Sequence, residues 1–174
     1  MKITELRLER IPVNHRGDWL FVELHTDSGI VGLGEASQSG DDAMVALALE
    51  QVGRFLQGED PTCVDVLWER LNQRESLFCG GTGRIGRTAV SAVDQALWDI
   101  CGKAHGVSVS RLLGGAHRDE IRLYANVNRG CEDRSPDGFA RAAARAVTAG
   151  FGAVKCAPFD EITEAGRDRD GLRR

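Results

Sequence analysis

Lys155 stands in the stretch AVKCAP, behind a short apolar run and three residues before a proline, so a strand stopping there leaves an amine at its C-terminal tip. In parallel α/β barrels the reacting groups stand at such tips, which makes Lys155 the most pointed functional residue of the chain. The plainer account is a strand-end lysine whose head reaches solvent. Asn126, Asn128 and Arg129 follow a second short run that ends at Ala125. They can bind hydroxyls or a carboxylate at the same mouth, or serve as ordinary turn residues. Gly81, Gly83 and Gly86 satisfy GxGxxG ahead of a helix, with Asp99 near the spacing of a ribose partner. A dinucleotide loop of that kind is entered by a strand, whereas Trp68 to Leu77 reads as helix, so the match is an inter-helix loop with a nucleotide site as the lesser alternative. Cys63, Cys79, Cys101, Cys131 and Cys156 are odd in number and without CxxC spacing, which argues against a disulfide framework and a thiolate metal site. His25, His105 and His117 form no HxxxH pair or carboxylate cluster, so no metal ligand is assigned.

The elements that must position these groups follow from periodicity. Leu6 and Leu8 alternate with Glu5, Arg7 and Glu9, a half-buried strand over Ile3 to Val13. A polar loop leads to a second alternating run from Leu20, and Thr26 to Gly29 carries turn chemistry before a third strand, Ile30 to Glu35. This is a three-stranded antiparallel meander. Asp41 or Asp42 can cap a helix with the stripe Val45, Ala48, Leu49, Val52, Phe55 and Leu56, and Pro61, Thr62 and Asp65 start another with a short variant of a capping box, carrying Val64, Leu67, Trp68 and Leu71. The chain is organised around a third, longer helix with Val90, Val93, Leu97, Ile100, Cys101 and Ala104 on its apolar stripe and Gly106 as its stop. Ala89, Ser91, Ala92 and Ala96 at its centre let other backbones come close. After Gly115 the pattern becomes strand (Ile121, Leu123, Tyr124, Ala125), helix from Ser135 and Pro136 with Phe139, Ala143, Ala146 and Val147, and strand (Ala153 to Lys155). That is the crossover unit from which parallel barrels are built. A full barrel takes about 250 residues, and Ile121 to Arg174 holds about two of eight units.

Composition closes off several classes. With 42% hydrophobic and 28% charged residues and a net charge of −4 spread along 174 residues, the chain is globular and has no basic stripe for nucleic acid or an anionic membrane. No apolar run is long enough to span a bilayer and the N-terminus does not read as a signal peptide, so the expected compartment is the cytoplasm.

The run SAVDQALWDICGKAHGVSVSRLLGG resembles the helix and LLGG turn that join cap to barrel in the enolase superfamily, in the branch of mandelate racemase and muconate lactonizing enzyme. GFGAVKCAPFDE resembles the second barrel strand of that branch. The resemblance implies an α+β cap domain (three-stranded antiparallel meander followed by a helical bundle) over residues 1–115. It also implies the first two β/α units of an incomplete (β/α) barrel over 116–160 and a charged tail over 161–174. By the same resemblance Lys155 contacts a substrate carboxylate, while the second lysine, the usual base, is replaced by Ala157. That departure favours a dehydratase-like activity over racemisation, and the resemblance implies an acid-sugar dehydratase or cycloisomerase as the complete enzyme. Loops His15 to Trp19 and Ser37 to Gly40 would roof the barrel mouth, with His15, Arg16 and Trp19 joining Asn126 and Asn128 in binding a sugar acid. Residues by themselves, these loops read as solvated turns. The family implies Mg²⁺, a small-molecule sugar acid and a homo-oligomer. Its metal ligands end later strands; Asp160 and Glu161 do not match them, so the fragment alone is expected to be inactive. A non-catalytic interaction module, its open barrel edge covered by another copy, is the alternative from another class.

Overall fold

The computed structural model describes residues 1–14, 17–37, 40–73, 83–128 and 130–158. The chain divides into two compact units, Met1–His117 and the segment from Arg118 onward. In the first, β1 (Ile3–Asn14), β2 (Gly17–Thr26) and β3 (Val31–Glu35) form an antiparallel sheet in that order. Leu20, Val22 and Leu24 lie on its buried face, with Leu8 and Gly34 flanking Val22, and Leu6 and Gly32 flanking Leu24. Gly29, at φ 81°, turns the chain between β2 and β3.

Three helices follow: α1 (Asp42–Leu56), α2 (Val64–Gln73) and α3 (Arg84–His105). Val45, Leu49, Val52 and Leu56 line α1, and Val64, Leu67 and Leu71 line α2, at the spacing of one helical face. The central helix α3 is buried over a wider arc, including Ala89, Ala92, Val93, Ala96, Leu97 and Ile100, because it meets the sheet as well as both other helices. Small residues on α3 meet glycines on β3: a Cβ on Gly34 would stand 1.9 Å from the Ala92 carbonyl oxygen, and one on Gly32 2.1 Å from that of Ala96. Gly106 ends α3 in the left-handed conformation, φ 66°. A short helix, α4 (Val109–Leu112), capped by the Ser108 hydroxyl, completes the unit.

Beyond β3 no fourth strand among the described residues joins this sheet, and side chains of α3 take its place. The Leu33 N–H donates to Asp99 Oδ2 at 2.9 Å and the Glu35 N–H to Gln95 Oε1 at 3.1 Å. Lys103 Nζ donates to the Val31 carbonyl and to Asp99, both at 2.7 Å. Side chains at i, i+4 and i+8 of one helix thus satisfy the outer edge of the strand.

Two expected caps form differently. Asp41 occupies the cap position of α1, but its carboxylate is held by Arg84 rather than by a helix N–H. Before α2, Asp60 Oδ1 accepts both the Thr62 N–H at 3.0 Å and its hydroxyl at 2.7 Å, so the helix starts at Val64 without the Thr62/Asp65 box. Those two bonds hold the Asp60 carboxyl below its ordinary range. Asp94, half-buried on α3, behaves oppositely: burial, and then the Asp65 carboxylate, push it up. A carboxyl raised in the folded state costs nothing below its unfolded pKa, and destabilises increasingly as pH rises from the unfolded to the folded value, above which the cost is constant. Asp94→Asn should therefore raise the urea midpoint at pH 7, the gain vanishing towards pH 3, as urea melts at the two pH values would record.

The second unit holds β4 (Ala125–Asn126), α5 (Pro136–Thr148) and β5 (Val154–Lys155), the two strands pairing in parallel. Ser135 caps α5, its hydroxyl accepting the Gly138 N–H at 3.1 Å, and Pro136 opens the helix. The strand expected from Ile121 begins only at Ala125, where the Ala125 N–H reaches the Ala153 carbonyl at 2.9 Å. Ile121 and Leu123 are 80% and 69% exposed, and no neighbouring strand among the described residues pairs with them. The buried face of α5 is also turned from the expected one. Gly138, Ala142 and Ala146 are buried, Phe139 and Ala143 are half-buried and Val147 is exposed, so the stripe is shifted by one residue with Ala146 kept on it.

Candidate active site

Lys155 is the last residue of β5, its amine-bearing side chain exposed and its carbonyl accepting the Val127 N–H at 3.0 Å. Asn126 is its register partner on β4 and is also exposed, so both stand at the C-terminal ends of parallel strands. Asn126 Oδ1 accepts the Asn128 N–H at 3.2 Å, which turns the chain away from the strand. Asn128 is only 8% exposed, and its Oδ1 accepts from three donors at 3.2 Å: Arg134 Nη1, Arg134 Nη2 and the Ala157 N–H. Arg134 Nη2 also reaches the Ala157 carbonyl at 2.7 Å, and its guanidinium lies 5.2 Å from the centre of the Phe139 ring.

Lys155, Asn126 and Asn128 are therefore gathered at one end of one unit, joined by Arg134, which sequence reasoning missed. Besides Asn128 it holds Ala157, 23 residues further along the chain, and no local pattern announces that pairing. A cleft of 460 Å³ lies at the other ends of the same strands, lined by Arg122, Leu123, Gly150, Phe151 and Ala153 among others. Among the described residues, no three His, Cys, Asp or Glu side chains converge as a metal site.

Of the residues expected to roof the mouth, His15 and Arg16 lie outside the described residues, as do Arg129, Asp160 and Glu161 named with the barrel end. Trp19 belongs to β2 rather than to a loop. It is the register partner of Ile11, 47% exposed, with its ring edge-on to Phe21 at 6.3 Å. The bases of the two early loops are tied together: the Ala36 N–H donates to the Leu20 carbonyl at 2.7 Å and the Leu20 N–H to Ser37 Oγ at 3.1 Å. Leu20 is buried, so Ser37→Ala leaves its N–H without that acceptor and should cost about 1–3 kcal/mol in chemical denaturation, with Ser37→Thr restoring most of it.

Gly83 caps α3 and Gly86 is buried within it, while Gly81 lies outside the described residues. Among the described residues the element preceding Gly83 is the helix α2, and Asp99 is engaged by Leu33 and Lys103. Cys63, Cys101, Cys131 and Cys156 are free, the Cys101 thiol raised by burial. No helix among the described residues is long and apolar enough to cross a membrane.

Comparison with known proteins decides the lineage. The model of the mandelate racemase / muconate lactonizing enzyme N-terminal domain matches residues 10–114. The chain belongs to that family. Within the curated relatives, D-galactonate dehydratase of Ralstonia pickettii is 36% identical over 172 residues, covering 99% of this chain and 40% of that protein. The enzyme of the same name from Pectobacterium atrosepticum is 41% identical over 125 residues, covering 72% of this chain and 31% of its own length. A solved structure described as a dehydratase from Mesorhizobium loti superposes with a TM-score of 0.86 at 35% identity, covering 99% of this chain and 47% of that one. An enolase from Agrobacterium radiobacter assigned to galactarate dehydration, bound to sodium and L-malate, gives 0.71 at 36% identity over 91% of this chain and 38% of that one. This mandelate racemase-family chain thus spans about 40% of the first curated relative's length. Its meander and helices form the family's cap, and its parallel strand pair is the start of a barrel.

Proposed function

We propose that this chain is the cap and barrel opening of an acid-sugar dehydratase that removes the proton next to a carboxylate and expels a hydroxyl as water. The observation that carries the reading is Lys155 at the C-terminal end of a parallel strand, in a chain aligned almost end to end with D-galactonate dehydratases. Lys155 holds the substrate carboxylate and adds positive charge where the enediolate forms. Asn126 receives a hydroxyl beside it. Ala157 offers no ionisable group, so the base comes from elsewhere.

The 174-residue chain should show no dehydration of acid sugars with Mg²⁺, as a product assay would record. Residues 1–158 fused to the remaining barrel of the Ralstonia pickettii enzyme should dehydrate D-galactonate. A folded, soluble fusion inactive on all acid sugars tried would overturn the reading, as would turnover by the unfused chain for the claim of inactivity.

The exposed Ile121, Leu123 and Val154 beside a two-stranded parallel sheet favour one second reading, an interaction module whose open edge is covered by another copy. Light scattering returning a monomer with one cooperative melt would remove it.

A further inference from the structure

We propose that Arg134 is a positioning residue for Lys155, acting through Asn128 and the backbone of Ala157; this rests on the reading of Lys155 as the group that meets the substrate carboxylate. The ladder between β4 and β5 stops at Lys155, yet two residues later both backbone groups of Ala157 are held. Its N–H donates to Asn128 Oδ1 at 3.2 Å and its carbonyl accepts Arg134 Nη2 at 2.7 Å. Arg134 Nη1 binds the Asn128 carbonyl and Oδ1, both at 3.2 Å, so one guanidinium joins the turn after β4 to the segment after β5. The planar fork suits this task, because it presents several donors at fixed angles where a lysine offers a single point. The Phe139 ring covers the guanidinium and limits its swing.

The chemistry of the cluster argues for geometry rather than stability. Burying an amide and a guanidinium costs free energy that their hydrogen bonds roughly return, and apolar residues would close so short a strand pair at no such cost. What the polar cluster adds is direction. It continues the ladder with side-chain groups, so the backbone on both sides of Lys155 is fixed: by the Ala125 N–H on the Ala153 carbonyl before it and by the clamp at 157 after it. A lysine between two fixed points delivers its amine to one place at the strand tip.

The test uses the full chain labelled with ¹⁵N, its lysines dimethylated with ¹³C, and D-galactonate as the probe. In Arg134→Met and Asn128→Ala, exchange of the Ala157 amide should accelerate at least tenfold, while Val22 and Ile100 exchange as in the parent. The D-galactonate affinity read at the Lys155 methyl signal should fall at least fivefold. Asn128→Asp, which keeps the acceptor oxygens, should stay near the parent in both readouts, and Arg134→Lys should fall between. Unchanged exchange at Ala157 overturns the proposal, and so does faster exchange with undiminished affinity at Lys155, which would make the cluster merely structural. A parent Lys155 signal that never responds to D-galactonate overturns the substrate reading, and with it the stated purpose of the clamp, while Ala157 exchange reports separately whether the clamp exists.

Discussion

Alanine at Gly34 should cost the cap unit about 3 kcal/mol or more, the upper end of what overpacking usually does. Its Cβ would fall 1.9 Å from the Ala92 carbonyl oxygen and 2.9 Å from the carbonyl carbon, both backbone atoms of the central helix. No side-chain rotation relieves that overlap, so either α3 or β3 must move. The opposing effect, the smaller entropy lost by alanine in a strand, is worth only roughly 0.5–1 kcal/mol. Gly32 meets Ala96 and Ile100 in the same way and should behave alike. Gly29 is a useful contrast: a Cβ there meets nothing within 4 Å, and only its positive φ is unfavourable, so Gly29→Ala should lose about 1–2 kcal/mol. Urea midpoints of the three variants decide the matter. A Gly34→Ala protein as stable as its parent would refute the close approach of helix and sheet.

The second large effect concerns chemistry. In the fusion with the Ralstonia pickettii barrel, Lys155→Met should lower kcat about 10²–10³-fold, the usual loss when a donor to developing negative charge is removed. Asn126→Ala should act mainly on KM, because a hydroxyl contact is made in ground and transition states alike. Steady-state kinetics on D-galactonate separate the two. A Lys155→Met fusion with parental kcat would leave Lys155 as a solvent-reaching strand end.

What the sequence discloses, and what it hides, follows from the range of each interaction. The stripes Val45–Leu49–Val52–Leu56 and Val93–Leu97–Ile100 are written within one element, so spacing alone places them. The small centre of α3 was equally legible, and Gly32 and Gly34 are the backbones that use it. Strand β4 was overextended because a strand's length is set by its partner, and β5 arrives beside it for only two residues. The Asp60 turn displaced the expected Thr62 box because a carboxylate two residues away can satisfy both donors of Thr62 at once. At the candidate site, Lys155 and Asn126 were visible from their places behind apolar runs. Asn128 looked like a companion of theirs, but its burial depends on Ala157, 29 residues away, and on Arg134, whose part no periodicity marks.

The three side chains that α3 lends to β3 also fix how that helix is turned about its own axis. Gln95, Asp99 and Lys103 work together only while they remain on one line. Removing a single residue between Gln95 and Asp99 would rotate everything on one side of the deletion by about 100°. The strand would lose its cover over part of its length, and the same twist would swing the alanines away from the glycines that need them. Length changes inside this helix are therefore forbidden even where its surface tolerates new residues, and the bared strand would be left open to pairing with a neighbouring molecule.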